Sequence, residues 1–118
     1  MRKGRGAGDD VWSWAVDGVR QIKGHEVNWG PYGCKWSVGD VIGLALDMRT
    51  AGVAAMSVSV NGSFAAPSGP AFTDMQAVHL SPAFSGDGLY RVNFGERPFV
   101  HAPLDSDYMS VLAFYRQQ

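Results

Sequence analysis

The chain has 118 residues, 46% of them hydrophobic, which is the size of one small domain able to bury roughly two-thirds of its unfolded surface. No run of eighteen apolar residues and no apolar stretch behind the basic start is present, so neither a spanning helix nor a secretory leader is expected, and the chain reads as an intracellular, cytoplasmic protein. Net charge is −1, but Arg2, Lys3 and Arg5 hold three of the ten basic residues; the remainder is acid-rich and a poor phosphate binder, so neither nucleic acid nor membrane is an expected partner.

Residues 1–7 read as a flexible basic tip and 8–118 as the folded domain. Gly4, Gly6 and Gly8 suggest a phosphate loop, but that chemistry needs a strand before the glycines and a helix after them, and the sequence offers neither. Residues 11–16 are aromatic and β-branched and predict a strand, broken at Asp17-Gly18, with 19–23 as its hairpin partner. Residues 24–35, rich in Gly, Pro, Asn and aromatics, predict a surface loop with a short strand inside. Its single cysteine, Cys34, excludes an intramolecular disulfide and fits a reducing compartment.

The clearest periodicity follows. From Asp40 to Met48 the residues Ile42, Leu44, Leu46 and Met48 share one face of an extended chain, and Val41, Gly43, Ala45 and Asp47 the other. Met56, Val58 and Val60 then alternate with Ser57 and Ser59, and the run stops at Asn61-Gly62, the strongest short-range hairpin signal. The link 49–55 is short enough to return the second strand antiparallel. Asn61-Gly62-Ser63 is formally a glycosylation acceptor, idle in a cytosolic setting. Residues 65–74, with Pro67, Gly69 and Pro70, predict an irregular segment. Residues 78–84 and 89–94 predict strands joined by the turn Ser85-Gly86-Asp87-Gly88, and 108–115, apolar in a way that fits a strand or a short helix, reads in favour of a final strand. Short strands at this spacing predict an all-β fold, an antiparallel two-sheet β-sandwich.

Five segments carry a resemblance in one order: G-D-D-x-x-S-W-A-x-D-G-x-R-Q at 8–21, Y-G-x-x-W-x-x-G-D-V-I-G-x-x-L-D at 32–47, S-V-S-V-N-G at 57–62, L-S-P-A-F at 80–84, and Y-R-V-N-F-G-E-R-P-F at 90–99. The sequence resembles a SPRY (B30.2-like) domain, the β-sandwich module of ryanodine receptors, ubiquitin ligases and substrate adaptors, with the ubiquitin-ligase type most similar. The resemblance implies a non-enzymatic protein–protein interaction module that reads a protein or peptide partner through loops at one end of the sandwich. The segments matching partner-contacting loops hold Trp14, Val16 and Asp17, then Asn28, Trp29, Pro31 and Tyr32, then Ser85, Gly86 and Asp87. Asn28, Trp29, Pro31 and Tyr32 offer an aromatic anchor with polar neighbours, and Asp87 an acceptor for a peptide amide or basic side chain.

Strands that precede the G-D-D segment in the family have no counterpart here, where only seven residues stand before Gly8. The resemblance therefore implies a sandwich open at its front, to be completed by a second chain or by a homo-oligomer. Docking by the open edge in a larger assembly, and lectin-like sugar binding, are the alternatives. The indoles of Trp12, Trp14 and Trp36 read as core or loop-packing residues, and Trp29 equally well as packing or as an anchor.

Catalytic and metal chemistry find little support. Cys34 with His25 or His79 lacks an evident third orienting group for a nucleophile. His25, His79 and His101 show no metal-ligand spacing, and no cofactor is expected. Glu26 and Glu96 form no carboxylate pair of the kind that glycoside cleavage requires, and Asp9-Asp10 reads as a source of turn hydrogen bonds.

Overall fold

A computed structural model describes residue 8 and residues 10–77, 79–84 and 89–116. They fall in two units, Met1–Ser85 and Gly86–Gln118. The fold is all-β, with two antiparallel three-stranded sheets in the first unit and one short helix in the second.

The first sheet is a meander of β1 (Trp14–Asp17), β2 (Ile22–His25) and β3 (Asn28–Pro31). Its first strand is shorter than the predicted 11–16 because Asp10 folds the preceding residues into a turn, accepting from Trp12 N at 2.9 Å and from Ser13 Oγ at 3.2 Å. Trp12 is consequently 83% exposed, against the expectation that it packs inside. Asp17 ends β1 where the break was expected: Oδ1 accepts from Val19 N at 2.8 Å and Arg20 N at 3.0 Å, an Asx turn that sends the chain into β2. The turn between β2 and β3 is made by Glu26 and Val27, at φ +52° and +57°. Two successive positive-φ residues fit the twist of a tight hairpin, but Glu-Val carries none of the usual Asn-Gly signature, so the sequence reads here only as a loop.

The second sheet orders β4 (Ile42–Thr50), β5 (Val53–Val60) and β6 (Gly69–Gln76). Ile42 opposes Val60, Leu44 opposes Val58 and Leu46 opposes Met56, so the apolar faces coincide as their alternation predicts. The connection is tighter than 49–55: Thr50 opposes Val53 across Ala51-Gly52, with a register shift between Asp47 and Thr50. At the far end Asn61 and Gly62 take φ +51° and +85°, and Val60 N donates to Ser63 O at 3.0 Å. Asn61 also fixes the entry to β4, since its Oδ1 accepts from Val41 N at 2.9 Å and its Nδ2 donates to Asp40 Oδ1 at 3.0 Å.

β6 corrects the irregular reading of 65–74. Gly69 and Pro70 open an edge strand, the place where a residue without an N–H is tolerated, and register shifts break its pairing to β5. The buried cluster comprises Ala54, Met56, Val58, Ala71 and Met75, with Val58 fully buried; Trp14, Val16, Tyr32 and Trp36 pack against it from the first half of the chain. Leu44 departs from the expected core face in burial though not in register, being 51% exposed.

In the second half of the chain, none of the described residues in 79–84 or 89–94 forms a strand, contrary to expectation. Pro82 removes a ladder donor from the first segment. In the second, side chains capture the backbone: Asn93 Oδ1 accepts from Gly95 N at 2.9 Å, Asn93 Nδ2 donates to Arg97 O at 3.1 Å, and the Glu96 carboxylate accepts from Phe94 N at 3.2 Å. Such local bonds compete with a sheet ladder. The expected final strand is instead a helix, α1 (Val111–Arg116), capped by Ser110, whose Oγ accepts from Ala113 N at 3.1 Å.

Candidate functional site

Alternation along β1 gives the first sheet two chemically different faces. Trp14 and Val16 face the core cluster, together with their cross-strand partners His25 and Lys23. Ala15, Asp17, Ile22, Gly24, Trp29 and Pro31 are in register on the opposite, outer face.

On the outer face Trp29 lies across Gly24, where an added Cβ would come within 2.4 Å of the indole. Only glycine admits the ring there. The Arg20 guanidinium sits 5.2 Å from the Trp29 ring centroid, within cation–π range, and its Nε donates to Asp17 Oδ2 at 2.8 Å. Hydrogen bonds from the Arg20 backbone and side chain hold the Asp17 carboxyl below the usual carboxylate range. Asp17, Arg20 and Trp29 thus form one polar and aromatic cluster, with Pro31 exposed on the same face. The sequence singled out Asp17, Trp29 and Pro31 but not Arg20; the available signal was the D-G-x-R spacing, which places a cation three residues beyond a turn-forming aspartate.

The other candidates occupy different places. Trp14 stacks on His25 with ring centroids 4.4 Å apart and planes 6° from parallel, and His25 Nδ1 lies 2.8 Å from Ser13 O. Tyr32 packs against the core and donates its hydroxyl to Gly69 O, and burial pushes its hydroxyl above the usual tyrosine range. Lys23 reaches the same region, donating Nζ to Ala71 O and lying 5.5 Å and 5.4 Å from the Tyr32 and Phe72 ring centroids. Trp14, Val16, Lys23 and Tyr32 therefore all help hold the first sheet to the second. Asn28 is exposed in β3, in register with His25. Ser85, Gly86 and Asp87 lie outside the described residues.

Cys34 is half-buried with Sγ 3.9 Å from Ser68 Oγ, while His25 is engaged with Trp14. Among the described residues no group of three His, Cys, Asp or Glu side chains is placed to hold a metal ion, and no helix is long and apolar enough to cross a membrane.

No protein-family model matches the chain.

Proposed function

We propose that this chain is a non-enzymatic, intracellular protein-interaction module of SPRY type, which binds a protein or peptide partner and serves substrate recruitment, as in a ubiquitin ligase adaptor. The five ordered sequence segments support the family reading, and the outer face of the first sheet supports the binding reading. One observation carries it: an indole held flat over Gly24, braced by Arg20, which is in turn paired to Asp17. Trp and Arg are the side chains that most often dominate binding energy, and holding them rigid before contact removes an ordering cost.

Selection from a displayed peptide library on the immobilised chain, followed by titration of the selected peptide, tests the proposal. Trp29→Ala and Arg20→Ala should each lower affinity by about 2 kcal/mol or more while thermal unfolding of the chain stays cooperative. Selected peptides that bind both variants as tightly as the parent chain would remove this face from the proposal.

A further inference from the structure

β4 is the outermost strand of its sheet, and the direction of its polar groups follows from Asn61. Val41 turns both of its backbone groups toward the β5 side, since Asn61 N donates to Val41 O at 2.8 Å and Val41 N donates to Asn61 Oδ1 at 2.9 Å. In an antiparallel ladder this direction repeats every second residue, so Gly43, Ala45 and Asp47 bond to β5. Ile42, Leu44 and Leu46 then direct N–H and C=O away from the sheet, and no partner for these groups is found among the described residues.

The other edges are guarded. β1 and β3 are four residues long, and β3 ends in Pro31. β6 opens with Gly69-Pro70, breaks register with β5, and gives two carbonyls to Tyr32 and Lys23. Short strands, prolines, bulges and charged side chains are the usual means of blocking edge pairing, and β4, nine residues long, carries them only toward its end, in the register shift and the Asp47–Arg49 ion pair. Beside this edge Leu44 is 51% exposed although it opposes the fully buried Val58.

We infer that β4 pairs antiparallel with β4 of a second copy of this chain, joining two three-stranded sheets into one continuous sheet. The sequence is self-complementary about Ala45. In that register the backbone groups of Leu44 exchange hydrogen bonds with the partner's Leu46, Ile42 lies opposite the partner's Met48, and the apolar face of Ile42, Leu44, Leu46 and Met48 continues across the two-fold axis. Charge is compatible with this register: Asp47 meets the partner's Gly43, whereas centring the pair on Asp47 would oppose two carboxylates.

Sedimentation equilibrium of the purified chain over a wide concentration series provides the test, with Leu44→Pro and Leu44→Lys as variants. Proline removes only an outward N–H, and lysine places a charge at an exposed edge position, so both variants should keep the circular dichroism of the parent chain. The parent is expected to approach twice the 12.7 kDa chain mass with rising concentration, and each variant to raise the dimer dissociation constant by about tenfold or more. Amide exchange at Leu44 and Leu46 should slow as the dimer forms. A chain monomeric throughout the series overturns the inference, and so does a dimer whose dissociation constant neither variant moves. Because β4 and the Trp29 face lie in different sheets, Leu44→Pro leaves peptide binding at Trp29 testable separately.

Discussion

Replacement of Lys23 by methionine isolates what joins the two sheets. The lysine stem is retained in shape by methionine, so the packing of Val16 and Phe72 around it persists, whereas the ammonium group is lost. Nζ donates to Ala71 O and lies over two rings, at 5.5 Å from Tyr32 and 5.4 Å from Phe72. A hydrogen bond from a charged donor contributes about 1.5–3 kcal/mol. Each ring adds roughly 0.5–1 kcal/mol at a partly exposed site, and some of the total is recovered when water reaches the Ala71 carbonyl. The expected cost of Lys23→Met is about 2–3 kcal/mol. In urea, with a slope of about 1–3 kcal/mol/M for a protein of this size, the midpoint should fall by roughly 0.7–3 M without a change of slope. Lys23→Arg, which keeps a donor and a cation, should retain most of the stability, and Lys35→Met, at an exposed position, should stay within about 0.5 kcal/mol of the parent. A Lys23→Met midpoint no lower than that of Lys35→Met would refute the assignment of Lys23 as the tie between sheets.

Three further outcomes are expected. Arg49, bonded twice to Asp47 through its side chain and once through its backbone N–H, lowers the Asp47 carboxyl to about 2 from an ordinary 3.8, so that pair's stabilising contribution is present above the ordinary value and is lost as pH falls through about 2; NMR titration should show the low midpoint in the parent and a higher one in Arg49→Gln, still below the ordinary value because the backbone N–H of residue 49 remains. Val27 sits at φ +57°, a conformation that costs a β-branched residue about 1–2 kcal/mol, so Val27→Gly should raise stability by roughly 0.5–1 kcal/mol after the entropy of glycine is subtracted, and an unchanged or lower melting temperature would contradict that strain. Val58, fully buried between β4 and β6, should not tolerate Val58→Asp, and a variant with native circular dichroism would mean that the β4–β5 register is misplaced.

The second sheet was largely legible because its signals are local and redundant. Ile42, Leu44 and Leu46 alternate, Met56 and Val58 alternate, and Asn61-Gly62 supplies positive φ at the stop. Where legibility failed, a local feature competed with pattern. Asp10 pulled residues 11–13 out of β1, Asn93 and Glu96 drew the backbone of residues 94–97 into a turn, and Ser110 capped a helix from a segment whose apolar residues fit either period. β6 was missed for the opposite reason, since Gly and Pro mark a loop in composition but are admitted at the start of an edge strand. At the candidate site the sequence singled out Trp29 and Asp17 as residue types. It did not show that Arg20 would bridge them, because that contact depends on a turn closing between β1 and β2 and on Gly24 leaving room for the indole.

The long-range ties between the sheets also set an order of events. Among the described residues every strand pair joins neighbours in sequence, so each meander can zip by closing short loops. The Lys23–Ala71 and Tyr32–Gly69 bonds span 48 and 37 residues, and neither can form until both meanders exist. Those two side chains belong to the last step of assembly rather than to its nucleus: weakening them should accelerate unfolding while leaving the rate of folding almost unchanged.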